Sequence, residues 1–206
     1  MSKDKVKFLF YTLTHPLDGY YEVRHREAGD VKLAFIVVLL SAIAFSLNKR
    51  YAIFVVNTSD TRTVQAFVYI GAMFILYILF CVSNWAVTCL TNGEGRIKDI
   101  LTVTGYGMLP IPLLFIPATI ISQGIAAGEE AFYHILIVVA VVWALLLIIS
   151  GNMVVHNYTL TTELKTLIFT VLAMCIILFI VLLFYSVLSQ IVGFIKSVYT
   201  ELIYRL

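Results

Sequence analysis

The chain has 206 residues, 61% of them hydrophobic and 13% charged, with a formal net charge of +2. A mean hydropathy of +0.98 places it among polytopic membrane proteins, and so small a charge carries no nucleic-acid signal. The three cysteines, Cys81, Cys89 and Cys175, fall in apolar stretches without a Cys or His at ligand spacing, so neither a disulfide framework nor a metal site is expected.

Residues 1–30 read as a cytosolic, interfacial amphipathic segment. Lys3, Lys5 and Lys7 alternate with Val6, Phe8 and Leu9, and His15-Pro16 separates this run from a second helical stretch ending before Gly29. Lysines with aromatics at a membrane edge suit an anionic leaflet. The run from Phe8 to Leu13 is too short for a signal core, so insertion is expected to use the first true span.

The transmembrane domain is placed at 31–189. Span 1 covers 31–48 and span 2 covers 64–90; between them, 51–56 is too short to cross, and Asn57-Thr58-Ser59 fits a glycosylation sequon. Asn84 and Trp85 interrupt the aliphatic surface of span 2, and an Asn there is read as helix–helix glue. Asn92-Gly93-Glu94-Gly95-Arg96 forms a tight turn whose glycines permit positive φ, with Glu94 and Arg96 pairing with each other or with the N-terminal segment.

Span 3, at 100–123, contains Pro110, Pro112 and Pro117. Each removes an amide donor, so a kinked or partly unwound helix is expected inside the bundle, with Thr102, Thr104, Tyr106 and Asn84 nearest to compensate. Span 4 covers 131–155. Span 5, 166–189, is almost wholly aliphatic and is expected to face lipid. Residues 190–206 form an amphipathic helix, with Phe194, Ile195, Val198 and Leu202 on the apolar face as candidate partner-docking residues. The fold class is therefore an all-α integral membrane bundle of about five spans with amphipathic ends.

With the N-terminus in the cytosol and five spans, nine Lys and Arg lie inside and five outside. A re-entrant third span changes the split to ten and four, so the charge rule leaves the side of the C-terminus open. Five spans are preferred, because 100–123 is a full crossing length.

Spans 2 to 5, so bounded, hold no Asp, Glu, Lys or Arg, which argues against an ion-driven transporter. His134 and His156 sit at span edges without an acid or nucleophile partner, and no hydrolase or zincin motif is present, so no catalytic residue and no cofactor is assigned.

His15-Pro16 with Tyr20, Tyr21 and Arg24; Gly29; Asn84-Trp85 ahead of Gly93-Glu94-Gly95; Gly105-Tyr106 with Pro110; and Gly151 with His156 form a scattered set. Together they resemble the Yip1-domain family of polytopic membrane proteins. The likeness covers about residues 15–189 and implies a five-span bundle with a cytosolic N-terminal segment. Eukaryotic members are linked to Rab GTPases, but the long acidic N-terminal region and the D-L-Y-G-P motif of those members are missing here, which argues against a Rab partner. The G-E-G turn resembles the bacterial branch, whose members are often encoded beside carbohydrate ABC importer genes.

The resemblance therefore implies a bacterial plasma-membrane protein and a non-enzymatic accessory or scaffold role, with the bilayer and other integral membrane proteins, ABC permease subunits among them, as partners. Asn84, Trp85, Gly93, Glu94, Gly95, Arg96, Tyr106, Pro110 and Pro112 are the candidate motif residues. The alternative is a channel or a lipid or solute transporter using a cavity near Asn84, Tyr106 and Pro110.

Overall fold

A computed structural model describes residues 3–53, 56, 65–126 and 128–205. They form eight helices: α1 (Lys3–Thr14), α2 (Pro16–His25), α3 (Val31–Tyr51), α4 (Ala66–Leu90), α5 (Ile97–Gly107), α6 (Pro110–Ser122), α7 (Glu130–His156) and α8 (Leu160–Arg205). No strand occurs among the described residues. Five segments are long and apolar enough to cross a membrane, with α5 and α6 together making the third. The sequon at 57–59 lies outside the described residues.

The third span is broken where the prolines demand it. Pro110 occupies the start of α6, and Met108 and Leu109 form the joint after α5. Pro112 has no N–H to offer the Met108 carbonyl one turn back. That carbonyl accepts from the Ile111 N–H at 3.0 Å and from the Ser41 hydroxyl of α3 at 3.1 Å. None of the expected groups donates to it: Thr102 Oγ1 donates to the Lys98 carbonyl, the Tyr106 hydroxyl accepts from the Asp30 N–H, Asn84 faces α7 and α8, and the buried Thr104 hydroxyl has no hydrogen-bond partner among the described residues. Compensation comes from a neighbouring helix because the freed carbonyl points out of its own helix.

The two halves of the span do not double back. Gly105 lies on Ala34, Met108 on Ser41 and Thr119 on Asn48, so α5 and α6 advance together along α3. Helix α7 runs the other way along both halves, with Tyr133 donating to Asn48 Oδ1 at 2.9 Å and Ile148 against Gly107. The third span therefore makes a full crossing rather than a re-entrant loop. The short stretch after α3 packs back on the bundle, with Ala52 buried against Ala118, Ile125 and Tyr133.

Within the N-terminal segment, α1 and α2 share the bundle's core. Gly19 lets α2 close on Thr12 of α1, and Leu9, Tyr20 and Val23 are buried with Ala34, Val103 and Val155. Asp30 caps α3 by accepting the Lys32 N–H and is held by Lys5 Nζ at 2.7 Å. The amphipathic face is thus spent, at least at these positions, on protein.

Helix α8 is continuous for 46 residues, so 190–206 does not begin a separate element. Its buried residues are Glu163, Thr166 and Thr170, which form one stripe against α4 and α7; beyond Thr170 no described residue is buried. The exposed aliphatic surface agrees with a lipid-facing span. The absence of charge inside the spans does not hold, because two helices start earlier than their apolar runs. Asp99 is buried in the first turn of α5, and Glu163, 0% exposed, in the first turn of α8.

Candidate functional site

The polar groups converge at the face where α4 and α7 end and α5 and α8 begin. Helix α4 stops with Asn92 in the left-handed region, φ 56°, and the Gly93 N–H returning to the Thr88 carbonyl at 2.8 Å. Helix α7 stops in the same way, with Asn157 at φ 57° and the Tyr158 N–H on the Met153 carbonyl at 2.9 Å. The positive φ of the G-E-G turn thus belongs to Asn92, not to its glycines.

Gly93 and Gly95 are required for space instead. A Cβ at Gly93 would lie 2.7 Å from the His156 ring and from the Tyr158 hydroxyl, and one at Gly95 would lie 2.4 Å from His156 Cε1. The turn is laid directly over the imidazole. His156 stacks on Tyr158, whose hydroxyl lies 2.7 Å from Thr91 Oγ1, so the two helix ends are pinned to each other.

Both nitrogens of His156 are engaged. The Gly95 N–H donates to Nδ1 at 3.2 Å, which leaves the proton on Nε2, and Nε2 donates to Asn84 Oδ1 at 3.2 Å. Asn84 Nδ2 in turn donates to Thr170 Oγ1 at 3.5 Å. Asn84 is 0% and His156 1% exposed, so one amide joins α4, α7 and α8 away from water. Beside them, neither carboxylate oxygen of Glu163 has a hydrogen-bond partner among the described residues.

A ring of charges surrounds this polar core. Asp99 accepts from Arg96 Nε at 2.8 Å and Arg24 Nη1 at 3.3 Å. Arg24 Nη2 donates to the Glu94 carbonyl at 2.6 Å, which ties α2 to the turn. Glu27 accepts from Lys98 at 2.7 Å and Arg96 at 2.8 Å. The hydrogen bonds from Lys98 and then Arg96 hold the Glu27 carboxyl below its ordinary range, and the bond to Asp99 raises Arg96. Arg96 therefore does pair with the N-terminal segment, whereas the Glu94 carboxylate forms no ion pair among the described residues.

The remaining motif residues lie elsewhere. Trp85 is 43% exposed and turns away from Asn84. Tyr106 is bound to Asp30, and Pro110 and Pro112 pack near α3. Phe194, Ile195 and Val198 are exposed on the far half of α8, and the Leu202 side chain lies outside the described residues. Asn84, Tyr106 and Pro110 are each committed to a different helix contact.

The comparison with protein-family models matches the Yip1 domain over residues 10–199. The chain belongs to the Yip1-domain family. Neither a curated protein nor a solved structure matches it. In this Yip1-domain protein the resemblance residues Arg24, Asn84, Gly93, Gly95 and His156, scattered along the sequence, come together at one face. Asp99, Thr91 and Tyr158 complete the arrangement without having been singled out; Asp99, three residues after Arg96, carried the only visible signal. The arrangement can clamp four helix ends and the N-terminal segment together. An imidazole with both nitrogens occupied is placed to hold backbone, not to relay a proton.

Proposed function

We propose that this protein is a non-enzymatic membrane adaptor that binds another integral membrane protein along α8. The observation that supports the reading is the length and exposure of that helix. At about 1.5 Å per residue its 46 residues extend roughly 69 Å. A bilayer's hydrocarbon core is about 30 Å thick, so much of this rod is surplus to one crossing. From 171 onward no described residue is buried, and Phe194, Ile195 and Val198 present an apolar surface near its end. The family context points to the permease subunits of a carbohydrate ABC importer in a bacterial plasma membrane as the partner, with the N-terminus in the cytosol.

The test is affinity purification of the tagged protein at native abundance in a mild detergent, with mass spectrometry of the co-purifying chains. The expected result is stoichiometric permease subunits, lost when the chain is truncated after 190 while the thermal stability of the bundle is kept. A protein that purifies alone overturns the reading. The transporter alternative has no comparable support, because its residues are committed to separate packing contacts.

A further inference from the structure

A cavity of about 340 Å³ opens between α2, the G-E-G turn and the end of α7. This is within the size range of small-ligand sites. Its walls carry Arg24 and Glu94 with the rings of Tyr21, His25 and Tyr158. Its remaining lining includes Leu17 and Met153. One fixed cation, one carboxylate without an ion pair among the described residues, and three aromatic rings make a pocket of mixed sign.

The surroundings say what kind of molecule reaches it. On α7, the stripe Val142, Leu146, Ile149, Met153 follows one helix face at three- and four-residue steps. Val142 and Leu146 are exposed, Ile149 and Met153 are half-buried, and the stripe ends at the cavity. An apolar track that leads along a spanning helix into a charged pocket at its end matches a phospholipid, with its chain on the track and its headgroup in the pocket. On α2, Leu17 and Tyr21 are exposed one turn apart at the cavity rim, as expected where headgroups meet acyl chains.

We propose that this cavity binds the headgroup of a zwitterionic aminophospholipid, with the phosphate toward Arg24 and the ammonium toward Glu94. A purely anionic headgroup fits less well, because the guanidinium already shares its charge with Asp99 and the Glu94 carboxylate would repel a second anion. The rings of Tyr21 and Tyr158, each stacked on one side by a histidine, line the same cavity and add aromatic surface near the ammonium. Nothing in the adaptor reading is needed for this site, and either stands without the other.

The experiment is native mass spectrometry of the delipidated protein in detergent, titrated with phosphatidylethanolamine, phosphatidylglycerol and phosphatidylcholine of identical acyl chains. Phosphatidylethanolamine should be retained preferentially. Glu94→Gln should reduce its retention by roughly two- to fivefold, the effect of one partly exposed charge contact, while leaving phosphatidylglycerol unchanged or bound more tightly. Met153→Trp, which fills the mouth of the cavity, should lower retention of all three. Unchanged thermal unfolding shows that each variant is folded. Equal retention of the three lipids, or phosphatidylglycerol binding best, overturns the proposal. Stabilisation by free phosphoethanolamine equal to that by the lipid overturns the assignment to a membrane lipid.

Discussion

The backbone N–H of Gly95 donates to Nδ1 of His156 across 3.2 Å, and no side chain fits between them. This contact turns a loop into part of the helix bundle. Gly95→Ala forces a methyl group against the ring and against Val155, and should destabilise the protein by about 1–3 kcal/mol. Gly71→Ala, where nothing lies within 4 Å, should instead stabilise α4 by up to about 1 kcal/mol. Thermal unfolding in detergent reads both, and equal signs would show that the turn yields freely.

Asn84 and His156 act as a pair. Asn84→Leu leaves the buried Nε2–H of His156 without an acceptor, and His156→Phe leaves the amide half-satisfied. The double variant should be less destabilised than the sum of the single ones, with a coupling of about 0.5–2 kcal/mol. Strict additivity in a reversible unfolding assay would mean that the two side chains merely lie side by side.

Ser41 is tied to the third span through the carbonyl that Pro112 leaves open. Ser41→Ala should cost about 0.5–1.5 kcal/mol in the native chain. In a Pro112→Ala background the restored amide can meet Met108, so the same Ser41→Ala change should cost measurably less. The cost of Ser41→Ala with and without the proline, read by chemical denaturation, decides this. An equal cost in both backgrounds would refute the compensation.

Acid should loosen the N-terminal helices first. The Lys98 and Arg96 hydrogen bonds lower the Glu27 carboxyl, and the Lys5 hydrogen bond lowers Asp30. Groups whose folded pKa is depressed contribute stability above their unfolded values, near about 4, and that contribution is lost as pH falls through the folded pKa. Pepsin cleavage within 3–30 should therefore rise below about pH 4 while α7 stays protected. Glu27→Gln with Asp30→Asn should show the higher cleavage already at pH 5. A profile in which all helices become sensitive together would sink the idea.

The number of span-length helices, the break at the prolines and the exposed aliphatic surface of the last helix were legible because each is a local consequence of composition. The polar site was less so. Hydropathy places the start of the third and fifth spans at 100 and 166, inside their helices, so Asp99 and Glu163 fall outside the spans although both lie in the first helical turn. Stripe spacing was the missed signal: Glu163, Thr166 and Thr170 recur at three and four residues. The role of the two glycines could not be read locally, since the ring they accommodate is about sixty residues away and only the meeting of the C-terminal ends of α4 and α7 at one face brings it near. Ser41 was invisible for the same reason, as a lone serine in an apolar helix has no sequence mark of its partner.

Helix α8 leaves its aliphatic residues exposed along a length apolar enough to cross a membrane and reserves Glu163, Thr166 and Thr170 for protein. Entry into the membrane and choice of rotational setting are thus assigned to different residues. Greasiness carries the helix across but is nearly uniform around its axis, so it cannot choose an orientation. The three polar residues do, since any substantial turn about the axis would point a carboxyl and two hydroxyls at acyl chains. Biogenesis can then proceed in two acts, insertion of a featureless rod and later docking against Asn84, with the far end of the rod still unclaimed.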